Sequence, residues 1–321
     1  MHPDGASTVQ QGGRAGPPGG IMIRAWRSYA LALLVLVGAA CSTTELVYDN
    51  ADWLLYRWVD GMVDARNGQS TAWRALMREA MDRHRRELLR PLVQLILGFE
   101  EMLRRRLDEP QLSCWLAAAD RVYRAHAEWA GVPAVEVLAG LAPDQVAYLD
   151  RQFEERDTEY ADGFLDPDAR RRERRRVERY VDRIERWTGD LSTEQLRLVE
   201  AMVGGLPDLA DDWFGYRQRQ QQRLLELLRS GADREALRQF LRAWWVDLAG
   251  REAPLVSKSQ RVRQGVIALL VNLDGTLSQT QRARALDRLA ELRAELTAAG
   301  DLAGPVLLAA ADCPPKDVET P

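Results

Sequence analysis

Apolar residues recur at every third or fourth position along almost the whole chain, and that period is what most restricts its fold. Leu55, Trp58, Val59 and Met62 stand at i, i+3, i+4 and i+7, and Val177, Tyr180, Val181, Ile184 and Trp187 repeat the pattern with charges in the gaps. An α-helix turns once per 3.6 residues, so this spacing collects the apolar side chains on one face. The segments around 70–105, 111–130, 143–162, 206–229, 233–249, 258–272 and 279–299 are patterned alike. No run rich in Val, Ile, Thr and Tyr alternates apolar with polar residues, as a half-buried strand would. The chain is therefore predicted to be all-α, a multi-helix bundle of amphipathic antiparallel helices with no sheet. Hydrophobic residues make up 46% of its 321 positions, enough to bury a core. No long linker divides it, so 50–300 reads as one helical domain and 301–321 as a disordered tail.

A short motif punctuates the helices. Leu141-Ala-Pro-Asp-Gln145, Leu191-Ser-Thr-Glu-Gln195 and Leu277-Ser-Gln-Thr-Gln281 place Gln four residues after Leu, and Leu107-Asp-Glu-Pro-Gln111 is a looser copy. Ser192, Ser278 and Asp108 can each cap a new helix while the Gln reaches back to the N–H of the capping residue, with Leu as the hydrophobic staple. The copies are unevenly spaced, which excludes a solenoid repeat. The motif is read as structural.

The N-terminus reads as an address. Arg24 and Arg27 precede an uncharged stretch, Tyr29 to Ala40, that ends in the small residues Gly38-Ala39-Ala40 before Cys41. A basic start, a short apolar run and a small-residue cleavage point describe a secretory signal over residues 1–40, too short to span a bilayer comfortably. Met22 is the expected start of translation. Gly38-Ala39-Ala40-Cys41 resembles a lipobox, which makes Cys41 the expected lipidation site; ordinary signal peptidase cleavage is the alternative. Residues 41–49 would then be a lipidated tether, and Ser42 directly after the anchor points to the outer membrane.

After Cys41 the chain reads Ser-Thr-Thr-Glu-Leu-Val-Tyr48-Asp-Asn50-Ala-Asp-Trp53-Leu-Leu-Tyr-Arg-Trp58. This opening resembles a family of uncharacterised lipoproteins from Gram-negative bacteria. The likeness continues through the Leu-x-x-x-Gln helix starts, the Arg/Glu helix from Arg170 to Trp187 and Leu206-Pro-Asp-Leu-Ala-Asp-Asp-Trp213. It departs after Asp64, where the family's helix cap is replaced by Ala65-Arg-Asn-Gly-Gln69. The resemblance implies an all-helical periplasmic lipoprotein and carries no activity with it.

Two features are candidates for interaction. Trp53 and Trp58 lie close to the anchor and could sit at headgroup depth, although core packing is the favoured reading because Arg57, Asp60 and Asp64 give that helix no basic face. Arg170, Arg171, Arg172, Arg174, Arg175 and Arg176 could bind an anionic envelope component. The alternative is a solvated face paired with Asp166, Asp168, Glu173, Glu178, Asp182 and Glu185.

Catalytic signals are scarce. His84 and His126 lack a His or Cys one turn away, so no metal or cofactor is predicted. There is no nucleophile elbow or phosphate loop. Asp211-Asp212 is read as surface charge. Cys114 and Cys313 could form one bridge or none. Lys+Arg total 44 against Asp+Glu 48, which argues against nucleic acid. The expected function is non-catalytic: an anchored helical protein that binds an unknown envelope protein or anionic component, with the membrane engaged through Cys41. An envelope-polymer hydrolase using Asp and Glu carboxylates, and a chaperone-like scaffold, are the alternatives.

Overall fold

The computed structural model describes Tyr48 and residues 50–302. The expected signal segment, Cys41, the rest of the expected tether, and residues beyond Leu302, Cys313 among them, lie outside the described residues. The described residues form α1 (Ala51–Val63), α2 (Asn67–Glu87), α3 (Leu89–Arg105), α4 (Glu109–Ala139), α5 (Pro143–Phe164), α6 (Ala169–Thr188) and α7 (Thr193–Gly204). There follow α8 (Ala210–Arg229), α9 (Arg234–Leu241), a π-helical turn (Arg242–Val246), α10 (Ala253–Thr276) and α11 (Gln279–Ala299). No strand occurs among the described residues, and the fold is the all-α bundle that the apolar period predicts.

The segment 70–105, read as one helix, is two. Pro91 has no N–H to offer the carbonyl of Glu87, and its ring crowds that carbonyl, so the helix breaks at Leu88 and resumes as α3. Together α2 and α3 make a rod. The 31-residue α4 runs antiparallel beside both: the Trp129 indole donates to the Ala80 carbonyl on α2 at 2.7 Å, and the Trp115 indole to Leu95 on α3 at 2.8 Å.

Each half of this rod carries its own core. Around α2 and the C-terminal half of α4, residues of α1, α5, α8, α9 and the π-helical turn bury Tyr56, Met77, Leu149, Leu225, Leu237 and Trp244. Around α3, helix α11 lays Leu289, Leu292 and Leu296 against Leu89, Val93 and Ile96. Helices α6, α7 and α10 close the same end over Val199, Val203 and Leu269. Each fully buried Leu contributes roughly 1.5–3 kcal/mol by leaving water. Leu302, placed in the tail by sequence, still packs on the α3–α11 cluster.

The capping Gln residues do more than cap. Ser192 and Ser278 accept from Gln195 N–H and Gln281 N–H at 3.2 and 3.1 Å, and each Gln returns its Oε1 to the cap's N–H at 2.9 and 3.0 Å. Asp108 accepts from the Gln111 N–H in the same way. Beyond the box, Gln195 and Gln281 bond each other amide to amide, at 3.0 and 2.9 Å. The second amide hydrogen of Gln195 goes to the Thr276 carbonyl and that of Gln281 to Asp190. Each of the two turns, α6–α7 and α10–α11, therefore caps the end of the other.

The opposite half repeats the device. Gln145 and Gln69 pair at 2.8 and 3.0 Å; Gln145 also donates to the Asp64 carbonyl and Gln69 to Gly140. Ala142 and Arg66 have no side-chain acceptor to complete a box, so only the returning Gln bond operates at their N–H groups. Ala65-Arg-Asn-Gly-Gln69, a departure in sequence, is thus the same junction in space.

Candidate functional site

The described chain begins at a half-buried polar cluster. The Tyr48 hydroxyl lies 2.5 Å from Nδ1 of His84, near the C-terminal end of α2. Arg85 covers the Tyr48 ring at 5.2 Å and donates to its carbonyl at 3.1 Å. The His84 ring meets His126 on α4 edge-on at 5.1 Å and Trp129 at 4.8 Å. His126 donates from Nδ1 to the Val122 carbonyl at 2.7 Å. With Nδ1 accepting from tyrosine, the neutral His84 ring carries its proton on Nε2. This cluster fastens the residue seven positions after Cys41 to the middle of the α2–α3 rod.

Both histidines are held neutral. Burial, then the neighbouring His126, pushes His84 down to about 3; burial lowers His126 as well, opposed by its bond to Val122. Burial also raises the Tyr48 hydroxyl above its ordinary value, against the attraction of Arg85. Unfolded histidine titrates near 6.5, so between that pH and about 3 the unfolded chain binds more protons than the folded one. The stabilisation is complete above 6.5 and is lost as pH falls. Urea unfolding at pH 7.5 and 4.5 should show His84 alone costing about 2–3 kcal/mol at the lower pH. His84→Gln should remove that part of the slope; an unchanged slope in the variant would refute the assignment.

The two tryptophans separate. Trp58 packs against the cluster of Tyr56, Val59 and Leu149, whereas Trp53 points outward with 53% of its surface exposed. Arg57, one turn after Trp53, is exposed too and pairs loosely with Asp60 at 3.6 Å. Cys41 lies outside the described residues.

Most of the arginine run is committed, and chiefly to residues outside its own helix. Arg172 meets Asp208 and Asp211 at 3.1 and 2.9 Å; Arg176 meets Asp208 at 4.0 Å. Arg171 and Arg175 reach Asp166 at 3.4 and 3.6 Å, ahead of the helix, and Arg171 also reaches Asp168. Asp168 caps α6 by accepting from the Arg170 and Arg171 N–H groups, and the Arg171 N–H above all holds its carboxyl below the usual range. Arg170 and Arg174 are exposed and make no ion pair among the described residues.

Asp211 and Asp212 point to different cations, Arg172 at 2.9 Å and Lys258 at 2.6 Å, and do not face one another as an acid–base pair. No group of three His, Cys, Asp or Glu among the described residues could hold a metal. Cys114 on α4 is engaged in a disulfide, and both other cysteines of the chain, Cys41 and Cys313, lie outside the described residues. Sequence reasoning missed the Tyr48–His84–His126 cluster, because its members are far apart in the chain and no motif links them.

No curated protein and no solved structure matches the chain. Residues 101–245, from the end of α3 through α4 to the π-helical turn, match the model of a family of unknown function, DUF6279.

Proposed function

We propose that the chain is an outer-membrane lipoprotein facing the periplasm, anchored through Cys41, and that it binds another envelope component through its helix faces without catalysing a reaction. The observation that carries this reading is the fastening of Tyr48. Six residues separate it from Cys41, so the two Cα atoms lie at most about 25 Å apart. A lipid on Cys41 would hold the body close to the bilayer, with its long side turned to the membrane. The start of α6 would offer Arg170 and Arg174, whose guanidinium groups have charge to spare for a carboxylate or phosphate of a partner.

Cys41→Ala should move the protein from the membrane to the soluble periplasmic fraction after carbonate washing; retention on the membrane would refute the anchor. A thioether on Cys41 consumes its thiol, so a non-reducing digest of the wild type should recover Cys114 joined to Cys313. A Cys114–Cys41 peptide would refute lipidation independently. For the binding face, a photo-crosslinker placed at Asp182 on α6 should yield a discrete adduct in intact cells. Arg170→Glu with Arg174→Glu should reduce that adduct several-fold at unchanged thermal stability, and an unaffected adduct would remove the arginines from the interface.

A further inference from the structure

We infer that Trp53 and Arg57 form the contact of the folded body with the phospholipid leaflet that carries the anchor: the indole sits in the headgroup layer and the guanidinium on lipid phosphate. The inference rests on the anchoring of Cys41 and adds the face that meets the membrane. Trp53 is the one exposed tryptophan among the described residues; Trp58, Trp73, Trp115, Trp129, Trp187, Trp213, Trp244 and Trp245 are buried or half-buried. A large indole left in water beside a polar surface costs free energy that the bilayer interface removes, since its apolar body and N–H donor match that layer.

Position selects the occupant. Trp53 follows the fastened Tyr48 by five residues, so its backbone lies at most about 18 Å from that of the pin. The chain from the pin to Cys41 extends at most about 25 Å. A body on so short a tether keeps the neighbourhood of the pin within reach of the headgroups, a layer only some 5–8 Å thick on each side of the hydrocarbon core. Arg57 lies on the same strip of α1 as Trp53, one turn further on, with 60% of its side chain exposed. Its partner Asp60, at 3.6 Å, leaves guanidinium donors for a phosphate oxygen.

The pin itself sets the orientation. Tyr48 joins the α2–α3 rod near its middle, at His84, and not at either end. The rod therefore lies along the membrane, with α1 on the leash side. This contact needs no insertion of a whole helix face: α1 turns Tyr56, Val59, Met62 and Val63 into the core and leaves Trp53, Arg57 and Gly61 exposed along one strip. Indoles settle at headgroup level, and a basic residue beside anionic lipid adds to the attraction.

The test uses the full lipidated protein reconstituted into vesicles of phosphatidylethanolamine and phosphatidylglycerol whose acyl chains are brominated near the headgroup. Flotation reads the anchor and fluorescence quenching reads the face. The expected result is co-flotation with a quenched component of tryptophan emission that is lost in Trp53→Phe and weakened in Arg57→Gln. Co-flotation with the same quenching in wild type and Trp53→Phe would overturn the inference while leaving the anchor intact. Failure to float would overturn the anchor, and this inference with it. Trp53→Phe is an exposed, conservative change, and equal thermal unfolding of variant and wild type verifies that the comparison is between folded proteins.

Discussion

Glu100→Ala is expected to lower the unfolding free energy by about 3–5 kcal/mol, the cost of removing one partner from a buried ion pair. Glu100 lies on α3 and its side chain is 1% exposed. Its two carboxylate oxygens are divided between Arg293 of α11 at 2.8 Å and Arg104 of its own helix at 3.0 Å. Taking the carboxylate away leaves two guanidinium groups facing a cavity. Arg104 is half exposed and can turn to water; Arg293 is more enclosed and pays most of the loss. For a domain of this size the midpoint should fall by roughly 10 °C. Glu100→Ala with Arg293→Met restores charge balance and should recover part of the stability. A single variant that melted like wild type would show that the triad contributes nothing to the packing of α11 on α3.

Gln195→Glu is expected to cost about 3–4 kcal/mol at neutral pH, more than Gln195→Ala at about 2, although it keeps the shape of the side chain. The amide donates to the Thr276 carbonyl and to Oε1 of Gln281. A carboxylate in its place turns both contacts into oxygen facing oxygen at a residue that is 3% exposed. Burial without a donor raises the pKa of such a group, so the deficit relative to wild type should shrink as pH falls and the acid becomes a donor again. Gln145→Glu should behave alike at the other junction, against Asp64 and Gln69. A double-mutant cycle between Gln195→Ala and Gln281→Ala should show coupling of about 1 kcal/mol. Additive losses would mean that the two amides act only as separate caps.

What was legible in the sequence is what local chemistry decides. Ser192 with Gln195 and Ser278 with Gln281 start α7 and α11 where the capping pattern places them, because a cap is settled within four residues. The apolar stripes of α6 and α11 follow from period alone. The break at Leu88 was readable in principle from Pro91, but a strong apolar period on both sides concealed it. The pairing of Gln195 with Gln281, 86 residues apart, and of Gln145 with Gln69, 76 apart, leaves no trace in either local motif. The arginine run shows the same limit. Spacing suggests partners such as Glu178 and Glu185 along the helix, yet Asp208 from the α7–α8 turn and Asp211 from α8 hold Arg172. Tyr48, His84 and His126 have ordinary sequence neighbours, and only the antiparallel course of α2 and α4 brings the two rings together.

The order in which the helices are made now matters. The apolar face of α3 is covered by α11, and the Glu100–Arg293 contact that seals them spans 193 residues. During synthesis, Leu89, Leu92, Val93 and Ile96 must wait for the last helix before they can leave solvent. Closing so long a loop is a modest entropic matter in itself, but the waiting chain carries an open greasy surface for many seconds at ordinary elongation rates. A polypeptide that stops short of Gln279 should accordingly collect on a holdase or aggregate, while one that ends just after Leu302 should fold.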